Sequence, residues 1–193
     1  LEREVIVKLA NSLRVLLKDR AVFVPLSEEL AFTDDYLDIE VVRFGEKLTV
    51  VKEIEEETLH VVVPGMLLQP LIENSIKHGL EPRIDGGTVT IRSRITEGGM
   101  LRVEVEDDGV GMEPERNNAS SVSGIVRPGT GVGVKNVRER MEVMYGDKAS
   151  VEINSRPGRG TKVTLLMPIL DADAEAWGPT GQAISHLLED AVR

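Results

Sequence analysis

Cysteine is absent from the 193 residues. That removes disulfides, thiol catalysis and cysteine-ligated zinc together, and fits a reducing compartment. Histidine is scarce, and His60, His78 and His186 are too scattered to form a metal cage. No run approaches the roughly 20 apolar residues needed to cross a bilayer, and Leu1-Glu2-Arg3-Glu4 is not a signal peptide. The chain therefore reads as soluble and cytoplasmic, without direct membrane insertion. Positive charge is in deficit, with 23 Lys and Arg against 33 Asp and Glu and a net charge of −10. This balance opposes general binding to nucleic acid or anionic lipid, so any polyanion needs a local, shaped site. An initiator Met is also missing, and the expectation is a piece of a longer protein.

What is present is enough to fold. With 41% hydrophobic and 29% charged residues, the length fits one ordinary domain plus a helical appendage. Val5, Ile6, Leu9, Leu13, Leu16 and Leu17 recur at helical spacing and predict a helix over residues 1–18 with one apolar stripe. Ser27, followed by Glu28 and Glu29, predicts a capped second helix running to Phe44. Its Leu30, Leu37, Val41 and Phe44 line one side, and Gly45 stops it.

The period then changes. Residues 48–54 and 59–63 read as strands, with Pro64 closing the second. Residues 66–78 read as a helix with Pro70 tolerated near its start. Strands over 88–95 and 101–106 form a hairpin through Glu97-Gly98-Gly99. Residues 111–128, rich in Asn, Ser, Gly and Pro, read as a mobile loop or lid. A helix over 131–144 and strands over 150–154 and 161–167 follow, and Ala183, Leu187, Leu188 and Val192 indicate a short tail helix.

Three segments could carry chemistry. Gly129-Thr130-Gly131-Val132-Gly133-Val134 opens a helix, where backbone N–H groups and the helix dipole can meet phosphate; a tight loop fits the same residues. Asp107-Asp108-Gly109-Val110-Gly111 puts a carboxylate at a strand end. A carboxylate only accepts hydrogen bonds, so it suits an exocyclic amine such as that of adenine; an exposed acidic turn is the alternative. Asn74 lies mid-helix, where Asn is a mediocre helix former, and is either a surface position or an oxygen ligand for Mg²⁺. His78, one turn on, shares nearly the same helix face.

Taken together and in this order, the three segments resemble the N, G1 and G2 boxes of the Bergerat ATP-binding domain found in DNA gyrase, heat-shock chaperones, histidine kinases and mismatch-repair ATPases. Gly158-Arg159-Gly160-Thr161 is similar to its last glycine box. The stretch from Leu67-Leu68-Gln69-Pro70 to His78-Gly79 resembles in particular the N box of LytS/YehU-type sensor histidine kinases. Pro25-Leu26-Ser27-Glu28-Glu29-Leu30, Tyr36-Leu37-Asp38-Ile39-Glu40 and Arg43-Phe44-Gly45 resemble the segment before that box.

The resemblance implies an α/β two-layer sandwich, with a mixed, mostly antiparallel sheet of about five strands covered on one face by helices. It divides the chain into a helical segment from the dimerisation region (1–45), an ATP-binding catalytic domain (46–168) and a tail (169–193). It implies ATP and Mg²⁺ as ligands, Asn74, His78 and Glu73 as the catalytic set, and Asn74 as the metal ligand. The implied nucleotide-binding set is Asp107, Gly109, Gly111, Lys77, Gly129, Thr130, Gly131, Val132, Gly133 and Thr161.

Its implied partners are a second copy, through the N-terminal helices, and a response regulator. Asp108 stands where many relatives have Asn and adds negative charge near the nucleotide, while Val132 and Val134 replace the commoner Leu. None of the three histidines matches the family's phosphate acceptor, so the acceptor is expected upstream, in a parent protein that can be membrane-anchored. Hydrolytic relatives place a water-activating Glu where this chain has Pro70, which favours transfer over hydrolysis. The alternative is a non-catalytic ATP sensor or interaction module of the same fold.

Overall fold

The computed structural model describes residues 23–112 and 132–170. In chain order these form β1 (Phe23–Pro25), α1 (Leu26–Phe44), β2 (Leu48–Ile54), β3 (Val62–Pro64), α2 (Gln69–Asn74), β4 (Gly87–Ile95), β5 (Met100–Asp107), α3 (Val132–Tyr145), β6 (Ser150–Ser155) and β7 (Thr161–Pro168). Five strands make one sheet in the order β2-β4-β5-β7-β6. Only β2 and β4 pair in parallel, from Leu48 opposite Gly87 to Ile54 opposite Ser93. The other three pairings are antiparallel, so the sheet is mixed and mostly antiparallel as expected. β1 and β3 form a separate antiparallel pair.

Period-two alternation decides which face of the sheet is covered. Val89 and Ile91 of β4, Leu101, Val103 and Val105 of β5, and Val163, Leu165 and Met167 of β7 are buried together. Against them lie Leu71 and Ile72 of α2, Ile76 and Leu80 just beyond it, and Val134, Val137 and Met141 of α3. Each such side chain contributes about 2 kcal/mol through burial. The opposite face carries ion pairs instead: Arg92 bridges Glu53 and Glu106, and Lys162 and Arg102 meet Glu104.

Several local expectations need correction. Ser27 does not cap α1, because the helix begins one residue earlier, with Pro25 as its non-helical flank and no side-chain cap. The Ser27 N–H instead donates to the Leu59 carbonyl at 3.0 Å. Leu30 and Leu37 face the core, but Val41 is 39% exposed. Of the predicted 59–63 strand only Val62 and Val63 lie in a strand, which runs on to Pro64, since a 3₁₀ turn at Glu56–Thr58 carries the chain past Leu59. The helix predicted over 66–78 is α-helical from Gln69 to Asn74 and π-helical from Ser75 to Leu80, with Pro70 in its first turn. The predicted helices over 1–18 and in the tail lie outside the described residues, as does most of the loop over 111–128. Among the described residues, no helix is long and apolar enough to cross a membrane.

Candidate functional site

The end of β5 and the π turn meet so closely that only glycine fits between them. A Cβ on Gly79 would lie 2.5 Å from Asp107 Oδ1, and one on Gly109 would lie 2.3 Å from the Gly79 carbonyl carbon. The Val110 N–H closes the contact by donating to the Gly79 carbonyl at 2.9 Å. The carboxylate of Asp107 is thereby fixed at the floor of a cavity of about 330 Å³. Leu71, Asn74, Ser75, His78 and Gly79 form one wall of that cavity, Gly111 and Met112 another, and Val134, Ile153, Thr161 and Val163 complete it.

Asp107 is 3% exposed. Its Oδ1 accepts the Gly109 N–H at 3.0 Å and the Thr161 N–H at 3.2 Å, and the Ser75 hydroxyl also bonds to the carboxylate. Burial nevertheless holds its pKa above the ordinary value, with these bonds lowering it and nearby Asp108 raising it. A second knot holds the far wall. The Ser155 hydroxyl contacts Thr161 Oγ1 at 2.9 Å, the Gly160 carbonyl at 3.0 Å and the Met112 N–H at 2.9 Å. Ser75 and Ser155 did not stand out in the sequence. Ser75 sits next to Asn74 and could have been inferred from the helix face; Ser155 carries no local signal.

Asn74 lines the same cavity as Asp107. Its Nδ2 is buried without a hydrogen-bond partner, and a Cβ on Gly133 would lie 2.8 Å from it, so the first turn of α3 rests on this amide. His78 is exposed at the cavity wall. Lys77 is also exposed and pairs with Glu73 at 3.7 Å. Glu73 accepts from Gln69 Nε2 at 2.7 Å and does not line the cavity. Val132 begins α3, while Gly129, Thr130 and Gly131 lie outside the described residues.

Asp108 points away from the cavity. Its carboxylate accepts the Thr88 N–H at 2.8 Å and sits 3.5 Å from Arg83, which also donates to its carbonyl. The extra negative charge is therefore paired with Arg83 at the outer edge. Among the described residues no cluster of three or more His, Cys, Asp or Glu could cage a metal. Asn74 offers the cavity one neutral amide oxygen. It fits a cation that takes most of its oxygens from phosphate and water.

Comparison with known proteins identifies the family and the fold. Residues 59–171 match the family described as histidine kinase-, DNA gyrase B-, and HSP90-like ATPase, and residues 2–48 match the family described as histidine kinase. The chain is 36% identical over 171 residues to the sensor histidine kinase YpdA of Escherichia coli, covering 86% of this chain and 28% of that protein. It is 32% identical over 150 residues to the sensor protein LytS of Bacillus anthracis, covering 77% and 25%. It thus spans between a quarter and a third of these relatives.

Among solved structures, the catalytic domain of histidine kinase ThkA superposes with a TM-score of 0.54 at 18% identity, over 76% of this chain and 95% of that one. The histidine kinase domain of an Erythrobacter litoralis blue-light activated kinase gives 0.52 at 23% identity, over 75% and 61%. These structural likenesses concern the fold.

Proposed function

Because the chain belongs to the family of histidine kinase-, DNA gyrase B- and HSP90-like ATPases and corresponds to the ATP-binding catalytic portion of a sensor histidine kinase, we propose that it holds Mg-ATP with Asp107 at the base and Asn74 at the phosphates. In this reading the γ-phosphoryl group passes to a histidine imidazole other than the three in this sequence. The observation that carries it is the convergence of Asp107 and Asn74 on one cavity. The Asp107 carboxylate, already accepting on Oδ1, offers its remaining acceptor capacity to the adenine amino group. Gly109 and Gly111 let the chain pack tightly on Gly79 and Arg156 and so shape the adenine pocket, while His78 at the cavity wall, with exposed Lys77 beside it in sequence, would meet the phosphates. Thr161 shapes the adenine end through its N–H to Asp107.

Mg²⁺, bound through the Asn74 amide oxygen, would neutralise charge on the triphosphate. The chain's own part is positioning. The attacking imidazole nitrogen forms the new bond to phosphorus as the bond to the β-phosphate oxygen breaks, leaving ADP. Pro70 cannot act as a general base, and Glu73 is engaged with Gln69 and Lys77 away from the cavity. Water is therefore poorly activated, which favours transfer over hydrolysis. Residues 1–45 would supply part of a helical dimerisation region, and an aspartate of a response regulator would receive the phosphoryl group. The β-sheet domain over 46–168 is the nucleotide-binding unit in this reading, with 169–193 as an appended tail.

Asp107→Asn tests the site. Loss of the charge-assisted bond should weaken ATP by about 1.5–3 kcal/mol, read by calorimetric titration, and unchanged affinity would refute the assignment. A longer chain carrying the upstream segment tests the chemistry. Acid-labile phosphohistidine should form with Mg-ATP, and steady phosphate release in its place would indicate a hydrolase.

A further inference from the structure

Glu29 is 4% exposed, yet it does no service to its own helix. Its carboxylate reaches across to the chain before α2 and accepts three successive backbone N–H groups, from Met66, from Leu67 at 2.8 Å and from Leu68 at 3.1 Å. Met66 has φ of 58°, a left-handed conformation uncommon for a residue with a side chain. That backbone turn points consecutive N–H groups into one concavity, the geometry that normally receives an external anion. Here the anion belongs to the protein. From the other side Arg140 of α3 donates to the Gly65 carbonyl. The first turn of the same α3 carries Gly133, packed on Asn74 and on the Pro70 carbonyl.

We propose that Glu29 is a positioning residue for the phosphate end of the nucleotide site: its carboxylate fixes the start of the helix that carries Asn74, one turn and a half before that side chain. The inference rests on the nucleotide reading of the cavity. Three N–H groups of the turn leading into α2 are satisfied by one charged acceptor from α1, and the helix start cannot shift along its axis without straining them. Two of the groups bonded to Asp107, the N–H of Gly109 and that of Thr161, lie outside that helix, and the third is the Ser75 hydroxyl. Glu29 therefore controls the metal and phosphate end more than the adenine end.

The test uses the 193-residue protein with Glu29→Gln, which keeps the shape but presents an N–H₂ group to one of the three donors. Binding of Mg-ATP and of adenosine is measured at a temperature where circular dichroism shows the variant fully folded. Mg-ATP should bind about tenfold more weakly, with adenosine within about twofold of the unaltered protein. Amide exchange should accelerate at Met66, Leu67 and Leu68 while Gly109 and Thr161 keep their protection.

Unchanged Mg-ATP affinity overturns the proposal, and so does an equal loss for both ligands, which marks a merely structural role. Glu29→Asp keeps the charge but falls a methylene short, and should show the same selective loss; if the Gln variant does not fold, this one decides. Failure of the unaltered protein to bind Mg-ATP would defeat the nucleotide reading instead, and the positioning role with it.

Discussion

Asp107 and Glu29 are both buried carboxylates whose pKa is raised chiefly by desolvation, from ordinary values of 3.8 and 4.5. A raised folded-state pKa means that the folded protein binds the proton more tightly than the unfolded chain. The contribution to stability is full below the ordinary value and is lost as pH rises through the folded one. Asp107 at neutral pH is thus held at a cost to the fold. Asp107→Asn should gain stability relative to the unaltered protein as pH rises above the ordinary value of 3.8 and through the raised folded one. Thermal unfolding across this range checks it, and a pH-independent difference would contradict it.

Ser155→Ala should cost about 1–3 kcal/mol in urea unfolding, because it removes the acceptor for the Met112 N–H. Asp108→Asn should leave ATP affinity within about twofold, since that carboxylate faces Arg83 and Thr88. Asp107 and Asn74 could be picked out from residue type and context. Ser155 could not, because its three bonds all depend on how the ends of β5, β6 and β7 come together.

Elements were legible wherever local chemistry and tertiary packing agree. The β4–β5 hairpin alternates cleanly and turns at Gly99, which has φ of 71°. α3 carries Val134, Val137 and Met141 at helical spacing and ends before Gly146, with φ of 56°. The N-terminus of α1 misled, because two acidic residues after Ser27 look like a first turn stabilising its own dipole. Glu29 in fact serves the start of α2.

The π turn at Ser75–Leu80 also escaped sequence reading. Its wider winding places Ser75 and Gly79 both against Asp107, an arrangement fixed by β5 rather than by local preference. Gly79→Ala should therefore destabilise the domain by about 1–3 kcal/mol and abolish ATP binding, because the new methyl overlaps Asp107 Oδ1. Chemical denaturation and nucleotide titration of that variant report the two effects separately.

For the whole molecule, the mixed, mostly antiparallel sheet and its one-sided helical cover followed from the motif set rather than from periodicity, and neither gave the strand order or the parallel pairing of β2 with β4. The cavity lies between the covering helices and the end of the sheet, so its occupant ties α2, α3, β5 and β7 together. Mg-ATP at a hundred times its Kd should raise stability by about 2.7 kcal/mol, seen as a thermal shift that Asp107→Asn cuts to about half or less.

The sheet has two open margins, β2 and β6. Among the described residues no further strand pairs with either, and such an edge could recruit a strand from a neighbouring molecule. Lys52 and Glu53 sit on the first, with Lys52 tethered to Asp34 of α1, and exposed Glu152 sits on the second. Charges so placed make edge-to-edge growth unfavourable, which lets a domain with this much β-structure be crowded without knitting into fibres.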